Sequence, residues 1–578
     1  MSIQLSRPSS PSQRRLWPAL ALIALGSLSA CGSDEEAPPE PITEAQAVRF
    51  LEQASFGPTP EDVARLQSLG YGKWIDEQFA QASTLPTHLQ MAEATAQARS
   101  VSKPDGNDVT YSWWTHAIKD NAQLRQRVAF ALSEIFVIST ASDNLAMQGR
   151  MVASFMDMLA RNSSTTYRQL LEEVALHPAM GAYLSHRGNR KEDASSGRVP
   201  DENFAREVMQ LFSIGLYELN PDGSLRLNNG QPIETYTAND VKGLAKVFTG
   251  FSWNWPSTKS ALVWWKCFWR TAECTETLQE TTSMSGYAQE HSTSVKQFLG
   301  TTIDTQSTAN PQQSLQIALD RLANHPNTAP FISRQLIQRL VTSNPSPTYV
   351  QDVASTFRSS RGNLKEVVRA ILLHAEARKP SDPETSGKLR EPVLRLAHLM
   401  RSLPHTSDTY SAQAAAGGVA YYPLGETDNP GTSLSQTPMR SPSVFNFFRP
   451  GYIPPQTELG ARGMMAPEMQ LTTETTVVGY ANFIASILND GLGKWDSNKR
   501  VNDIRFDLTS FEALADQPAQ MVSAVHRRLL GTEPPADLTS EAVAAIESMP
   551  NRNVGERRKR AQAAVLLVAV SPSFLVQQ

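Results

Sequence analysis

Residues 203–212 read Asn203-Phe204-Ala205-Arg206-Glu207-Val208-Met209-Gln210-Leu211-Phe212. Phe204, Val208 and Leu211 recur at helical spacing and fall on one face of an α-helix. Asn203, Arg206, Glu207 and Gln210 follow at i, i+3, i+4 and i+7 and form a polar stripe beside that face. The spacing predicts a helix over 203–214.

The same period governs most of the chain. Thr59-Pro60-Glu61-Asp62 reads as an N-cap, a proline at the first helical position, and acids at the positive helix end. Val63, Leu66 and Leu69 continue one stripe, and Gly70 stops it. Leu124, Val128, Leu132 and Ile135 extend the pattern across a segment from Ser112 to Ile138. Further stripes lie at 166–176, 238–248, 312–323, 331–341, 347–357 and 364–373, and 386–403 reads as another, with Pro392 near its first turn. Ala563 to Val570 is a core helix ended by Ser571-Pro572. Strand signal is scarce: Leu216 to Leu227, around Asn220-Pro221-Asp222-Gly223, reads as one hairpin. Residues 406–463 are rich in Gly, Pro and Ser and read as a long loop. The expected fold is mainly α, a large multi-helix body over 43–578 with long irregular loops and one small β-hairpin insertion.

The N-terminus is an address rather than a fold element. Arg7, Arg14 and Arg15 precede an apolar stretch from Leu16 to Leu28, too short to span a bilayer. Leu28-Ser29-Ala30-Cys31 resembles the site at which lipoprotein signal peptidase cuts before a diacylated cysteine. Residues 1–30 are thus expected to be a signal peptide, with Cys31 lipidated. Gly32, not Asp, follows, which by resemblance to enterobacterial sorting rules favours the outer membrane. Residues 31–42 are acidic and proline-rich and read as a tether. The expected location is the cell envelope, as an outer-membrane lipoprotein facing the periplasm or the exterior.

The leader holds three of the 53 basic residues and none of the 57 acidic ones, so the remainder is mildly acidic. Phosphate backbones demand clustered cations, which makes nucleic acid an unsuitable partner. Arg557-Arg558-Lys559-Arg560 is one basic run opening a helix, a pattern typical of a solvated face. Cys267 and Cys274, the other two of three cysteines, are expected to pair in an oxidising compartment. The loop they close would contribute about 2.5 kcal/mol in the chain-entropy picture. Two such cysteines without further ligands make no zinc signature. Neither metal nor cofactor is expected.

Several segments together resemble the bacterial family catalogued as domain of unknown function 1800. They are Arg49-Phe50-Leu51 with Ala54 to Thr59, Leu69-Gly70 and Trp74 to Phe79; Asn203 to Phe212 with Ile214-Gly215, Tyr236-Thr237 and Asp240-Val241; Pro442 to Phe448 with Pro450 and Tyr452 to Pro455; and Ala466-Pro467-Glu468 with Thr473-Glu474-Thr475 and a tail of Ser571-Pro572 and Phe574. The resemblance implies export. It also implies a candidate partner, because similar proteins are often encoded beside a sulfatase-like exported family. It implies no activity. Two departures stand out. Gln210 occupies a position where members often carry Glu, and His291-Ser292 replaces the usual His-Asp pair ahead of Lys296 and Leu299-Gly300. Any metal or proton role that the acidic position serves in relatives is therefore not carried over.

Two groups of residues have chemistry to offer. On helix 203–214, Glu207 with Arg206 and Asp240 has the composition of a general acid/base with an orienting cation, and Asn203 and Gln210 beside them suit recognition of a sugar or carboxylate. The plain reading of the same stripe is an interior ion-pair network that fixes helix packing. Thr237 and Asp240 resemble a capping box. The second group is aromatic: five of the ten tryptophans lie between Trp253 and Trp269, inside an insertion over 251–300 that also holds both cysteines. Trp253, Trp255, Trp264 and Trp265 suit sugar stacking or a protein interface, or else pack the insertion against the body. His177 and His325, each before a proline, read as helix-end residues. No nucleophile elbow, phosphate-cradling glycine loop, dinucleotide fingerprint or zincin motif occurs.

The expected function is a membrane-anchored envelope lipoprotein that binds a surface protein or glycan through the aromatic insertion and the long loops. The alternatives are an envelope hydrolase acting on a polysaccharide or modified glycan, with Glu207 as acid/base and Arg206, Asn203 and Asp240 positioning substrate, and a structural assembly factor.

Overall fold

Thr59 accepts the N–H of Asp62 while the Asp62 carboxylate accepts the N–H of Thr59, so the sequence-level cap of helix Pro60–Leu69 is a reciprocal box, closed at its far end by Gly70. Such a cap stabilises a helix by about 1 kcal/mol. The computed structural model to which it belongs describes residues 41–256, 258–275, 277–379 and 386–578. The leader, Cys31 and the tether up to residue 40 lie outside the described residues. Among those described there are 26 α-helices and no strand longer than six residues, so the molecule is mainly α. No described helix is long and apolar enough to cross a membrane.

Most expected helices form where their stripes place them, including Tyr167–Leu176, Ala238–Val247, Pro311–Ala323, Pro347–Ser359 and Leu364–Leu373. Two differ. The stretch from Ser112 to Ile138 divides into Gly106–Lys119 and Gln123–Ser133. Between them the Asp120 carboxylate accepts the N–H of Ala122 at 2.9 Å, and its carbonyl accepts from Gln123 Nε2 at 2.7 Å. That turn interrupts the backbone without interrupting the apolar period. The helix expected over 386–403 begins only at Pro392, because Lys388–Leu389 pairs as a strand with Val576–Gln577.

The single expected hairpin is a larger ribbon. Leu219 faces Leu225 across the predicted turn, and a second turn at Asn229-Gly230 joins Leu227–Asn228 to Gln231–Pro232. Both turn residues have positive φ, 50° and 80°, the geometry Asn-Gly supplies in tight hairpins. Other small sheets exist, among them His405–Ser407, Val501–Phe506 and Leu492–Asp496 in one three-stranded sheet. The loop over 406–463 is also less irregular than expected. It opens with helix Asp408–Ala415, and Tyr421, Tyr422, Leu424, Leu434, Met439 and Phe448 are buried against the body.

One apolar core runs from Phe50 on helix Glu44–Ala54 to Phe574 near the C-terminus. The insertion carries a small core of its own, in which Cys267, Phe268, Cys274 and Tyr287 pack together with Trp255 and Trp264 against them. Cys267 and Cys274 are disulfide-bonded. Strand Lys296–Phe298 then returns onto helix Ala238–Val247 at Gly243, where a Cβ would meet the Gln297 carbonyl oxygen at 1.7 Å. Only glycine permits that approach.

Candidate functional site

Helix Asn203–Gln210 buries Phe204, Val208 and Met209 completely, but its polar stripe does not form one wall. Asn203 and Arg206 are exposed, and Arg206 pairs with Glu202, not Glu207, at 3.4 Å. Glu207 is buried with one oxygen lacking a donor, and burial holds its carboxyl above the ordinary value, with Arg206 partly opposing. Asp240 is committed elsewhere. Its carboxylate accepts from the Thr237 N–H and hydroxyl, both at 2.7 Å, and from the Leu299 N–H at 2.6 Å. It completes the expected capping box and pins the Leu299-Gly300 turn. Among the described residues Glu207, Arg206 and Asp240 share no hydrogen bond with one another, and Gln210 of the stripe lines a cleft.

The aromatic insertion sorts its tryptophans by depth. Trp253 is gripped between two guanidiniums, Arg187 at 4.0 Å and Arg270 at 4.4 Å from its ring centre. Trp255 stacks on Tyr287 at 5.3 Å, and Trp264 packs edge-on against Phe268. These three are structural in placement. Trp265 and Trp269 are 47% and 56% exposed. The outward aromatic surface therefore belongs to Trp265 and Trp269, while Trp253, Trp255 and Trp264 are half-buried.

A further concavity lies elsewhere. A cleft of about 440 Å³ opens between the end of helix Asn203–Gln210, helix Thr328–Leu340 and the 406–463 loop. Glu134, Gln335, Gln338 and Arg339 line it and are buried; Leu216, Tyr217, Leu225 and Phe445 line it and are exposed. Polar groups thus predominate in its buried part, or floor, and apolar ones together with Arg449 at its exposed edge. Gln335 Nε2 is buried in this floor without an acceptor. Two segments that are remote in sequence but shared with the family resemblance, Asn203 to Phe212 and Pro442 to Phe448, both contribute to its lining.

Behind the floor sits a buried ionic cluster. Glu134 Oε1 accepts from Asn446 Nδ2 at 3.1 Å, and Oε2 lies 3.7 Å from Arg339 Nε. Glu391 lies within hydrogen-bonding reach of Glu134 and accepts from Gln436 Nε2 at 2.6 Å. Burial first, then the Glu134 charge, push the Glu391 carboxyl well above its ordinary value. Lys388 pairs with Glu468 at 2.8 Å, Arg127 donates to the Arg339 carbonyl at 2.7 Å, and the Arg339 guanidinium lies 4.6 Å from the Phe448 ring centre. A second, mostly apolar cavity of about 500 Å³ lies against Lys388 and Glu468, and Met465 borders both cavities. Isolated buried ions each carry several kcal/mol of desolvation, so these groups hold their places only as a set.

The two departures from the resemblance have definite surroundings. Gln210 accepts from the Tyr236 hydroxyl at 3.0 Å and contributes its side chain to the cleft wall. Ser292 donates to Glu192 Oε1 at 2.8 Å, and Glu192 is within electrostatic reach of Lys296, so a carboxylate from another segment stands beside the residue that replaces Asp. His291 bonds the Thr249 carbonyl at 2.8 Å and Ser314 Oγ at 3.0 Å. His177 and His325 cap local backbone, accepting from the N–H of Ala179 and Asn327. Among the described residues no three of His, Cys, Asp and Glu gather as a metal site requires.

Glu134, Gln335, Gln338, Arg339 and Glu391 went unnoticed in the sequence. One signal was available. Helix Thr328–Leu340 carries Arg334, Gln335, Gln338 and Arg339 on adjoining positions of an otherwise apolar, buried segment. A polar stripe of that kind, on a helix too apolar to face solvent, calls for a partner or a ligand.

No curated protein and no solved structure matches the chain. The family model described as "Protein of unknown function (DUF1800)" matches residues 49–576, nearly the whole sequence, and the chain belongs to that family.

Proposed function

We propose that this chain is an exported, lipid-anchored protein of the bacterial envelope that binds a surface glycan in the cleft between helix Thr328–Leu340 and the 406–463 loop. The short leader ending at Cys31 supports the location. The cleft carries the binding reading: it offers exposed rings at its rim, Tyr217 and Phe445, above amides at its floor, one of which keeps a buried donor without an acceptor. Sugars present alternating C–H faces and hydroxyls, and rings with convergent amides match both. Trp265 and Trp269 supply a separate outward surface for a protein partner, of which an exported sulfatase-like protein is the candidate.

The test has two arms. Mass spectrometry of the mature protein should show a diacylated Cys31 at its start, and Cys31→Ser should move the protein out of the membrane fraction. Immobilised polysaccharide from the cell's own envelope should retain the wild-type protein, and Phe445→Ala or Gln335→Leu should abolish retention. Retention unchanged in both variants would remove the cleft from the account.

One observation favours hydrolysis as a second reading. Glu134 lines the cleft with Glu391 beside it, and burial raises the Glu391 carboxyl above its ordinary value, a pairing of neighbouring carboxyls of the kind acid/base chemistry uses. In that reading the acid/base role passes from Glu207 to Glu134. New reducing ends released from the polysaccharide by the wild type but not by Glu134→Gln would establish it.

A further inference from the structure

The cleft that carries the binding reading is unevenly charged. Three guanidiniums line it, Arg334, Arg339 and Arg449, against one carboxylate, Glu134. Arg339 is answered by Glu134. The other two are not. Among the described residues no carboxylate lies within ion-pair distance of Arg334 or Arg449. Arg334 donates to the Gly223 carbonyl at 3.3 Å and to Met465 Sδ at 3.4 Å, both weak acceptors of a full charge. Arg449 lies with its guanidinium 5.1 Å from the Phe445 ring centre. Burial lowers the basicity of Arg334, the direction expected of a cation held in a partly desolvated wall without a counter-charge. A buried carbonyl and a thioether do not neutralise a guanidinium, whereas a carboxylate or sulfate gives it charge-assisted, often bidentate bonds. The floor adds the buried Gln335 amide nitrogen, also without an acceptor.

We infer that the ligand of this cleft is an anionic saccharide, its carboxylate or sulfate seated between Arg334 and Arg449, its apolar face on Phe445 and a ring oxygen or hydroxyl on Gln335. This rests on the cleft being a glycan site and names the class of glycan. A saccharide is favoured over a peptide carboxylate because the lining pairs exposed rings with amides rather than presenting a strand edge for main-chain bonding.

The experiment is titration calorimetry of the intact mature protein with four probes: a short oligogalacturonate, its methyl ester, a sulfated galactan oligosaccharide of similar length that contains no uronic acid, and a short oligoglutamate peptide. The oligogalacturonate is expected to bind, more weakly as salt rises, and the methyl ester at least about 10-fold more weakly, as loss of a charge-assisted pair entails. Arg449→Gln, at an exposed position that does not support the fold, should weaken the oligogalacturonate by a similar factor, and Arg334→Gln should do the same. The two anionic sugars distinguish carboxylate from sulfate as the preferred charge, and binding of either supports the inference. Equal binding of the acid and its ester would overturn the anionic assignment while leaving the glycan reading intact. Binding of the peptide alone would overturn the saccharide class, and binding of none of the four would remove the glycan reading as well.

Discussion

Asn446 Nδ2 donates to Glu134 Oε1 at 3.1 Å, a bond that ties the 406–463 loop to the body across 312 positions of sequence. Asn446 sits at φ 65°, a left-handed conformation that asparagine tolerates better than most residues. The loop wall of the cleft and the floor carboxylate are therefore joined through a side chain that suits both demands.

Replacing Asn446 by Leu removes the donor, leaves Glu134 under-satisfied and strains the backbone. The expected loss of stability is about 1–3 kcal/mol. Denaturant unfolding measures it, and limited proteolysis should show faster cutting within 406–463. A loss within about 0.5 kcal/mol, the range of an ordinary surface substitution, would show that this bond does not hold the loop.

Glu391 makes stability depend on pH in a definite direction. Its carboxyl is raised in the folded state well above its ordinary value of 4.5. The folded form thus keeps a proton that the unfolded form releases, and stability from this group is fully present below the unfolded value and lost as pH rises towards the folded one. Melting temperature should fall across that window, and Glu391→Gln should flatten the fall. Buried histidines such as His177, lowered to about 3, act oppositely, losing stability as pH drops below the unfolded imidazole value. Comparing wild type and variant at each pH isolates Glu391, and parallel curves would refute the assignment.

Opening the Cys267–Cys274 bond should loosen the insertion before the body. The small core around Phe268 and Tyr287 depends on it, while the main core does not. The Cys267→Ser, Cys274→Ser double variant is expected to lose about 2 kcal/mol from the insertion, by loop-closure reasoning. Hydrogen exchange should rise within 251–290 and stay low in helices such as Thr328–Leu340. Uniform exchange throughout would mean that the insertion and the body unfold together.

Depth separates the tryptophans by effect. Trp265→Ala and Trp269→Ala remove exposed rings and should change stability by no more than about 0.5 kcal/mol. Trp255→Ala removes the ring stacked on Tyr287 and the bond to the Lys259 carbonyl, and should lose about 3 kcal/mol. Equilibrium unfolding distinguishes the two groups, and similar losses at Trp255 and Trp269 would contradict their different burial.

The sequence by itself determined what depends on neighbours along the chain. Helix periods, the Thr59 and Thr237 caps, the Gly70 stop and Pro392 at a first turn all involve residues within one or two turns, so their signals survive in a linear reading. The short sheets escaped because strands of two to six residues carry too little alternation to read. The break at Asp120 escaped because a side-chain bond to the next turn leaves the apolar period intact. Only the tertiary structure decided the site. Whether Glu207 meets Arg206, which tryptophans turn outward, and that Glu134, Gln335 and Asn446 share one cleft are outcomes of packing between distant segments, and charge and hydrogen-bond partners chosen across hundreds of residues leave no local pattern to find.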